Sequence, residues 1–352
     1  MSQTARIGVI GLGWIGGVHA EFLTKLEGME LAGVADAAAE AAAELGGRFG
    51  VPHFDSAAAL LEAVELDAVI VAVPPAYHHE IVLAAIRRGV GVLCEKPLAH
   101  DLPTMAEMVQ AAEQAQVPTM IGFPARFAVS AEEFCLLRDA GELGEIEHIR
   151  TNFRFSTAKH DESHGPWQWN KAAGGGALLE ASPHMWDLVR HLTGQEIVEV
   201  YGLARHFDGD RSGAERVFTA IAKLSGGALA TVDMACTLPW GATTDKRTEV
   251  FGTAGMVYLD EFTNFLTVNT EAGCEIAPGS RISGTGHPDA LWHSRVSGGL
   301  RRELEYFARC VRQGLTPQPT FRDGLEASLA AHAVDRAIRQ ERPVRVDELR
   351  SV

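Results

Sequence analysis

Residues 6–19 run a short apolar strand, 6–10, directly into glycines at 11, 13 and 16. Few patterns restrict a fold as tightly. Gly11 permits a sharp strand-to-helix turn, Gly13 lets the backbone approach a pyrophosphate, and Gly16 lets the next helix lie close to the sheet. The spacing predicts a helix over 14–26, with Ile15, Val18, Phe22 and Leu26 on one face. Its unpaired N–H groups and positive dipole end would point at the ligand's phosphates. A second apolar strand, 30–35, ends in Asp36, about twenty residues past the last glycine, where an acid takes the ribose hydroxyls of a dinucleotide. Ala37, Ala38, Ala39 and Glu40 follow without a cation, and a carboxylate repels a 2′-phosphate, so NAD is expected rather than NADP.

Strand and helix patterns keep alternating over the first 120 or so residues, as expected of a doubly wound parallel sheet with right-handed crossovers. Helices are expected at 38–49, 56–64, 78–88 and 101–114, the last capped by Asp101, and strands at 68–73, 91–94 and 119–122. Near Gly144 the period changes to two. Strands are expected at 146–155, 196–204, 216–224, 228–234, 248–251 and 265–268, with Gly226-Gly227 as a hairpin turn. One helix, 183–192, is inserted among them, and helices at 298–313 and 321–340 close the chain. The fold class is therefore α/β. Domain 1–122 carries the parallel sheet, and domain 123–352 is α+β with a large, open, mostly antiparallel sheet. The last helix, 322–340, is expected to pack back near the first domain.

Too few helices remain to cover both faces of the second sheet. A bare apolar face pairs readily with its own copy, so a homodimer or homotetramer through that sheet is expected. The formal charge of −15 argues against nucleic acid and against an anionic membrane surface. No apolar run reaches the roughly 18 residues of a membrane-spanning helix, and the first residues do not resemble a signal peptide. Cys94, Cys135, Cys236, Cys274 and Cys310 form no CxxC pair and read as reduced thiols of a cytoplasmic protein.

In an open parallel sheet the ligand lies beyond the carboxyl ends of the strands, where 11–16, 73–78 and 95–97 are delivered. Lys96 thus falls beside the reactive end of a dinucleotide, where an ammonium polarises a hydroxyl and stabilises a developing alkoxide. A second cluster follows a triple glycine, 174–176: Glu180, His184 and Asp187 at offsets of four and three. A histidine can take a proton from an alcohol and return it to a ketone, with a carboxylate fixing its tautomer. Pro183 suits a first helical turn capped by Ser182, which would leave Glu180 outside the helix and Asp187 one turn from His184; either acid can partner the histidine. Residues 159–164 (Lys-His-Asp-Glu-Ser-His) read as a polar loop, and no metal site is expected. Trp167, Trp169 and Asn170 offer aromatic faces and an amide to a sugar ring. Arg126 either reaches the substrate end or pairs with an acid.

The glycine loop, Pro74 with His78, Glu95-Lys96-Pro97, and the stretch from the triple glycine through Glu180, His184 and Asp187 together resemble the glucose–fructose oxidoreductase/inositol dehydrogenase (Gfo/Idh/MocA) family. The likeness spans nearly the whole chain and includes residues 122–127 and Asp323-Gly324. It implies a Rossmann domain, a C-terminal α/β domain, and NAD-dependent oxidation of secondary hydroxyls of sugars, sugar derivatives or cyclitols. On this resemblance the catalytic residues are Lys96, His184 and Glu180, the last a departure from the family's aspartate. Gly11, Gly13, Trp14, Ile15, Gly16, Asp36, Pro74, His78, Glu95 and Lys96 would hold NAD, while Arg126, Trp167, Trp169, Asn170 and His184 would meet the substrate. The competing readings are a tightly held NAD serving net non-redox sugar chemistry, and an NAD-binding sensor without turnover.

Overall fold

The computed structural model describes residues 4–156, 175–205, 214–239, 242, 244–261, 265–270, 280–284 and 298–350. It divides into two compact units: Met1–Phe123 with Arg301–Leu325, and Pro124–Leu300 with Glu326–Val352.

The first unit contains strands β1 (Ala5–Ile10), β2 (Met29–Ala35), β3 (His53–Phe54), β4 (Ala68–Val71), β5 (Gly91–Cys94) and β6 (Thr119–Ile121). Helices α1 (Trp14–Leu23), α2 (Ala39–Phe49), α3 (Ala57–Ala63), α4 (His78–Arg87) and α5 (Leu102–Gln114) connect them. The strands pair in parallel in the order β3-β2-β1-β4-β5-β6. β4 and β5 are buried along their whole length, which is why they read as unbroken apolar runs rather than alternating ones. The order reverses between β1 and β4, so the loops after these neighbours lead away in opposite directions and leave a crevice at their carboxyl ends. Asp101 caps α5 as expected, Oδ1 accepting the Thr104 N–H at 2.9 Å. α1 stops at Leu23, three residues short of the expected end. There the Thr24 hydroxyl donates to the Glu21 carbonyl at 2.8 Å, and Lys25 and Leu26 both turn back onto the Phe22 carbonyl.

Two segments from the far end of the chain complete this unit. Most of α8 (Gly299–Gln313) and the start of α9 (Phe321–Gln340) lie within it. The Ile121 N–H donates to the Pro319 carbonyl at 3.2 Å, and Arg322 pairs with Glu113 at 2.7 Å. The segment of the far end that belongs to this unit is 301–325, which takes in the first turn of α9.

The second unit holds α6 (Val129–Asp139), α7 (Pro183–Thr193), β7 (Ile146–Arg154), β8 (Ile197–Arg205), β9 (Val217–Leu224), β10 (Leu229–Ala235), β11 (Asp245–Gly252), β12 (Gly255–Asp260), β13 (Phe265–Thr270), β14 (Ser280–Gly284) and β15 (Val344–Arg345). Among the described residues these strands form one sheet in the order β14-β13-β12-β11-β7-β10-β9-β8-β15. Only the central β7–β10 pair is parallel. Gly226-Gly227 makes the expected turn between β9 and β10, Gly227 at φ +95°. α6, β12, β14 and β15 were not expected from the pattern.

Among the described residues, one face of this sheet is covered and the other open. Along β9, Phe218, Ala220, Ala222 and Leu224 are buried while Thr219, Ile221 and Lys223 are exposed. α7 packs on β7 and β10, and Gly202 of β8 admits Val334 and Ile338 from the later turns of α9. The open face carries Leu203, Ile221, Leu229 and Tyr258 together with Arg154, which bridges Asp233 and Asp245. Cys94, Cys236 and Cys310 are buried and Cys135 is half-buried, all as free thiols; Cys274 lies outside the described residues.

Candidate active site

In the first unit, chain geometry leaves no room for side chains at two positions, one in the loop after β1 and one in the first turn of α1. Gly11 adopts φ +88°, and a Cβ there would stand 2.6 Å from the Ala72 backbone. A Cβ on Gly16 would fall 1.8 Å from the Gly11 carbonyl oxygen. Gly13 is different: nothing lies within 4 Å of where its Cβ would be, so bare backbone faces open space. Trp14 is exposed and Ile15 half-buried beside it. Asp36, just past β2, fixes this loop. Its Oδ2 accepts the Leu12 N–H at 2.6 Å and its Oδ1 accepts the Ala38 N–H at 2.8 Å. Each carboxylate oxygen has a second lone pair for a ribose hydroxyl. A turn with open backbone at a helix start, followed by an acid at the next strand end, fits a dinucleotide.

The loops after β4 and β5 are tied together from beneath. His78, expected to contact the cofactor, is fully buried; Nε2 lies 2.8 Å from the Val73 carbonyl oxygen, and Nδ1 lies 3.2 Å from that of Leu98 and 3.4 Å from Cys94 Sγ. Burial lowers the His78 pKa and raises that of the Cys94 thiol well above its usual range. A neutral ring with its proton on Nε2 donates to Val73 and accepts the Cys94 S–H at Nδ1. His78 therefore supports the 73–78 and 95–97 loops from inside the domain. Pro74 is half-buried at the head of its loop. Glu95 is buried between α1 and β6, and Lys96 is the one residue from Gly91 to Ala99 that stays partly exposed. Glu95 Oε1 lies 2.8 Å from Nε2 of His19, a fully buried residue of α1. Sequence reasoning missed His19; its only signal was a polar residue on the apolar side of a helix.

In the second unit, Gly175 and Gly176 have φ of +81° and +66° and start a π-helical turn, Ala177–Ala181. The Ser182 N–H donates to the Ala177 carbonyl, five residues back, at 2.9 Å. Ser182 does not cap α7 as expected. Its backbone is already helical, and its hydroxyl donates backwards to the Leu178 carbonyl. Pro183 follows at the first position of α7, where a missing N–H costs nothing. Glu180 thus sits in the π turn, and such turns recur at functional sites because they redirect one side chain. Burial, reinforced by the Glu180 charge, pushes the Cys236 thiol up, which places Glu180 beside the end of β10. His184 is the one partly exposed residue between Glu180 and Arg190.

Of the two acids near His184, Asp187 is engaged by arginine. Arg126 Nε donates to its Oδ2 at 2.8 Å and Arg126 Nη2 to its Oδ1 at 2.5 Å, with Asp187 almost wholly buried. Arg126 therefore forms the acid pair that was one of its two expected fates. Trp167, Trp169, Asn170 and the 159–164 loop lie outside the described residues. Among the described residues no group of three or more His, Cys, Asp or Glu side chains could hold a metal ion, and no helix is long and apolar enough to cross a membrane.

The switch-point crevice, the glycine turn and the ribose-side acid define an NAD-binding oxidoreductase domain of the Rossmann type. Residues 5–123 match the family model for an oxidoreductase family with an NAD-binding Rossmann fold, and residues 136–258 match the GFO/IDH/MocA C-terminal domain. The chain belongs to the Gfo/Idh/MocA oxidoreductase family. It is 28% identical to myo-inositol 2-dehydrogenase of Thermotoga maritima over 348 residues, covering 98% of this chain and 99% of that one. It is also 28% identical to the scyllo-inositol 2-dehydrogenase (NAD(+)) of Bacillus subtilis, over 100% of this chain and 99% of the relative. Among solved structures, levoglucosan dehydrogenase in complex with NADH superposes with a TM-score of 0.87 at 22% identity, covering 98% and 99% of the two chains, and shares the fold.

Proposed function

We propose that this protein oxidises a secondary hydroxyl of a cyclitol or sugar, with NAD as the hydride acceptor. When bound, the nicotinamide ring supplies the hydride chemistry. Lys96 donates to the hydroxyl oxygen and stabilises the negative charge that develops there. His184 accepts the hydroxyl proton and returns it in the reverse direction. Glu180 orients the imidazole, since Asp187 already answers to Arg126. Asp36 receives the ribose and disfavours a 2′-phosphate.

One observation carries this reading. Lys96 and His184 are each the lone partly exposed residue in a stretch otherwise buried, and each is a proton-handling group. Full-length similarity to two enzymes named as inositol 2-dehydrogenases supports the substrate class. The test is NADH formation, followed by absorbance, on a panel of cyclitols, aldoses and anhydrosugars. Turnover of at least one cyclic polyol with stoichiometric NADH is expected; NADH-free conversion of every substrate would overturn the reading.

The open sheet face completes the proposal. Leu203, Ile221 and Leu229 lie more than half exposed on β8, β9 and β10, a cluster that a second copy would bury. Light scattering should give a mass of two or four chains, and Ile221→Asp should lower it; a single-chain mass at micromolar concentration would contradict the assignment.

A further inference from the structure

The Glu95 carboxylate is confined on three sides. Its Oε1 takes the hydrogen bond from His19 at 2.8 Å, its Oε2 accepts the Lys96 backbone N–H at 3.3 Å, and its flank presses on Gly122, where a Cβ would stand 3.3 Å away from Oε2. His19 is fully buried, and its Nδ1 has no hydrogen-bonding partner among the described residues. An orphaned ring nitrogen in the core is costly, and an apolar side chain at this helix position would avoid the cost. Whatever retains the imidazole acts through its other nitrogen, the one on Glu95.

We propose that His19 is a positioning residue for Lys96: it fixes the Glu95 carboxylate, whose second oxygen then secures the Lys96 backbone at the mouth of the β1/β4 crevice. The helix that carries the cofactor loop and the loop that carries the lysine are thereby set by one hydrogen bond across 76 residues of chain. The electrostatics agree. Burial alone would push the Glu95 carboxyl up, but the His19 hydrogen bond and the charge of Lys96 outweigh it and hold it below the usual carboxylate range. An anionic Glu95 in turn steadies the neighbouring Lys96 ammonium.

The catalytic consequence rests on the role assigned to Lys96 above, whereas the positioning itself can be read without turnover. Competitive acetylation of the whole protein at neutral pH, read at Lys96 by mass spectrometry, reports how firmly its ammonium is held. His19→Ala should acetylate at Lys96 roughly threefold faster than wild type. His19→Gln, whose amide N–H can still reach Oε1, should stay near wild type. Glu95→Gln, which keeps His19 but removes the charge, should reproduce the faster rate should His19→Ala fail to fold. With NAD and myo-inositol as the probe substrate, or the best substrate from the panel, His19→Ala should lower kcat about 10–100-fold, the range of a supporting-partner loss. The Kd for NADH, read by fluorescence, should change little. Unchanged acetylation in both His19→Ala and Glu95→Gln, or equal losses in His19→Ala and His19→Gln, would overturn the proposal. Full turnover in Lys96→Met would instead overturn the role of Lys96, leaving the acetylation result to judge His19 independently.

Discussion

The two sheets of this protein handle the same backbone chemistry in opposite ways. In the first unit every strand is parallel, and the central strands are buried on both faces, so the sheet offers the outside world only its ends. Loops, glycines and charged side chains gather at those ends, and the reversal between β1 and β4 decides where a ligand can enter. The second unit's sheet is mostly antiparallel and half-open. It leaves a broad face exposed among the described residues, and the proposed proton-handling residue, His184, follows one distorted turn, the π-helical segment before α7. A parallel sheet places function by topology; the open sheet places it by local departure from regular geometry.

The sharpest way to break this comparison is to remove the group that the distorted turn leads to. His184→Ala should cut kcat by about 10²–10⁴-fold, the contribution of a general acid–base, with NADH affinity held. If NADH affinity falls instead, the second unit serves binding rather than proton transfer. A smaller effect is expected from the topological site. Asp36→Ala removes charge-assisted hydrogen bonds of about 1.5–3 kcal/mol and should weaken NAD about 10–100-fold while relaxing discrimination against NADP, measured by paired titrations. Native protein that already binds NADP equally would contradict the role of Asp36.

Legibility followed the same division. Five of the six parallel strands could be read because burial writes each as an apolar run, and Gly11, Gly16 and Asp36 stand within one βαβ unit; β3, only His53 and Phe54 with His53 exposed, carries no such run and was missed. α6 was missed: its apolar residues Phe134 and Leu137 are diluted by Glu132, Glu133, Arg138 and Asp139, leaving a weak stripe. β12 follows β11 after two residues and merges with it in the pattern. The backward bond of Ser182 could not be foreseen, since Ser before Pro reads as a cap whether or not a π turn precedes it. Arg126–Asp187 and His19–Glu95 join residues 61 and 76 positions apart, and no local pattern reports such pairs.

The smallest expected effect concerns acid stability of the first unit. His78 has its pKa lowered by burial, so the unfolded chain binds a proton on it before the native state does. Its contribution is fully present above about pH 6.5, the unperturbed histidine value, and is lost as pH falls below it. Glu95, also lowered, adds a loss that sets in further down, as pH falls through the carboxylate range. Thermal melts should therefore show Tm declining from pH 7 to pH 5, with a shallower slope in His78→Asn. An identical slope in the variant would remove His78 from the balance.

The central claim is that one lysine from the parallel sheet and one histidine beyond the π turn act on the same hydroxyl. A double-mutant cycle on kcat with Lys96→Met and His184→Ala tests it directly. Groups that work as a unit are strongly non-additive, so the double variant should be scarcely slower than the worse single variant. Losses that simply multiply would mean that Lys96 and His184 serve separate steps, contrary to the proposed shared action on one hydroxyl.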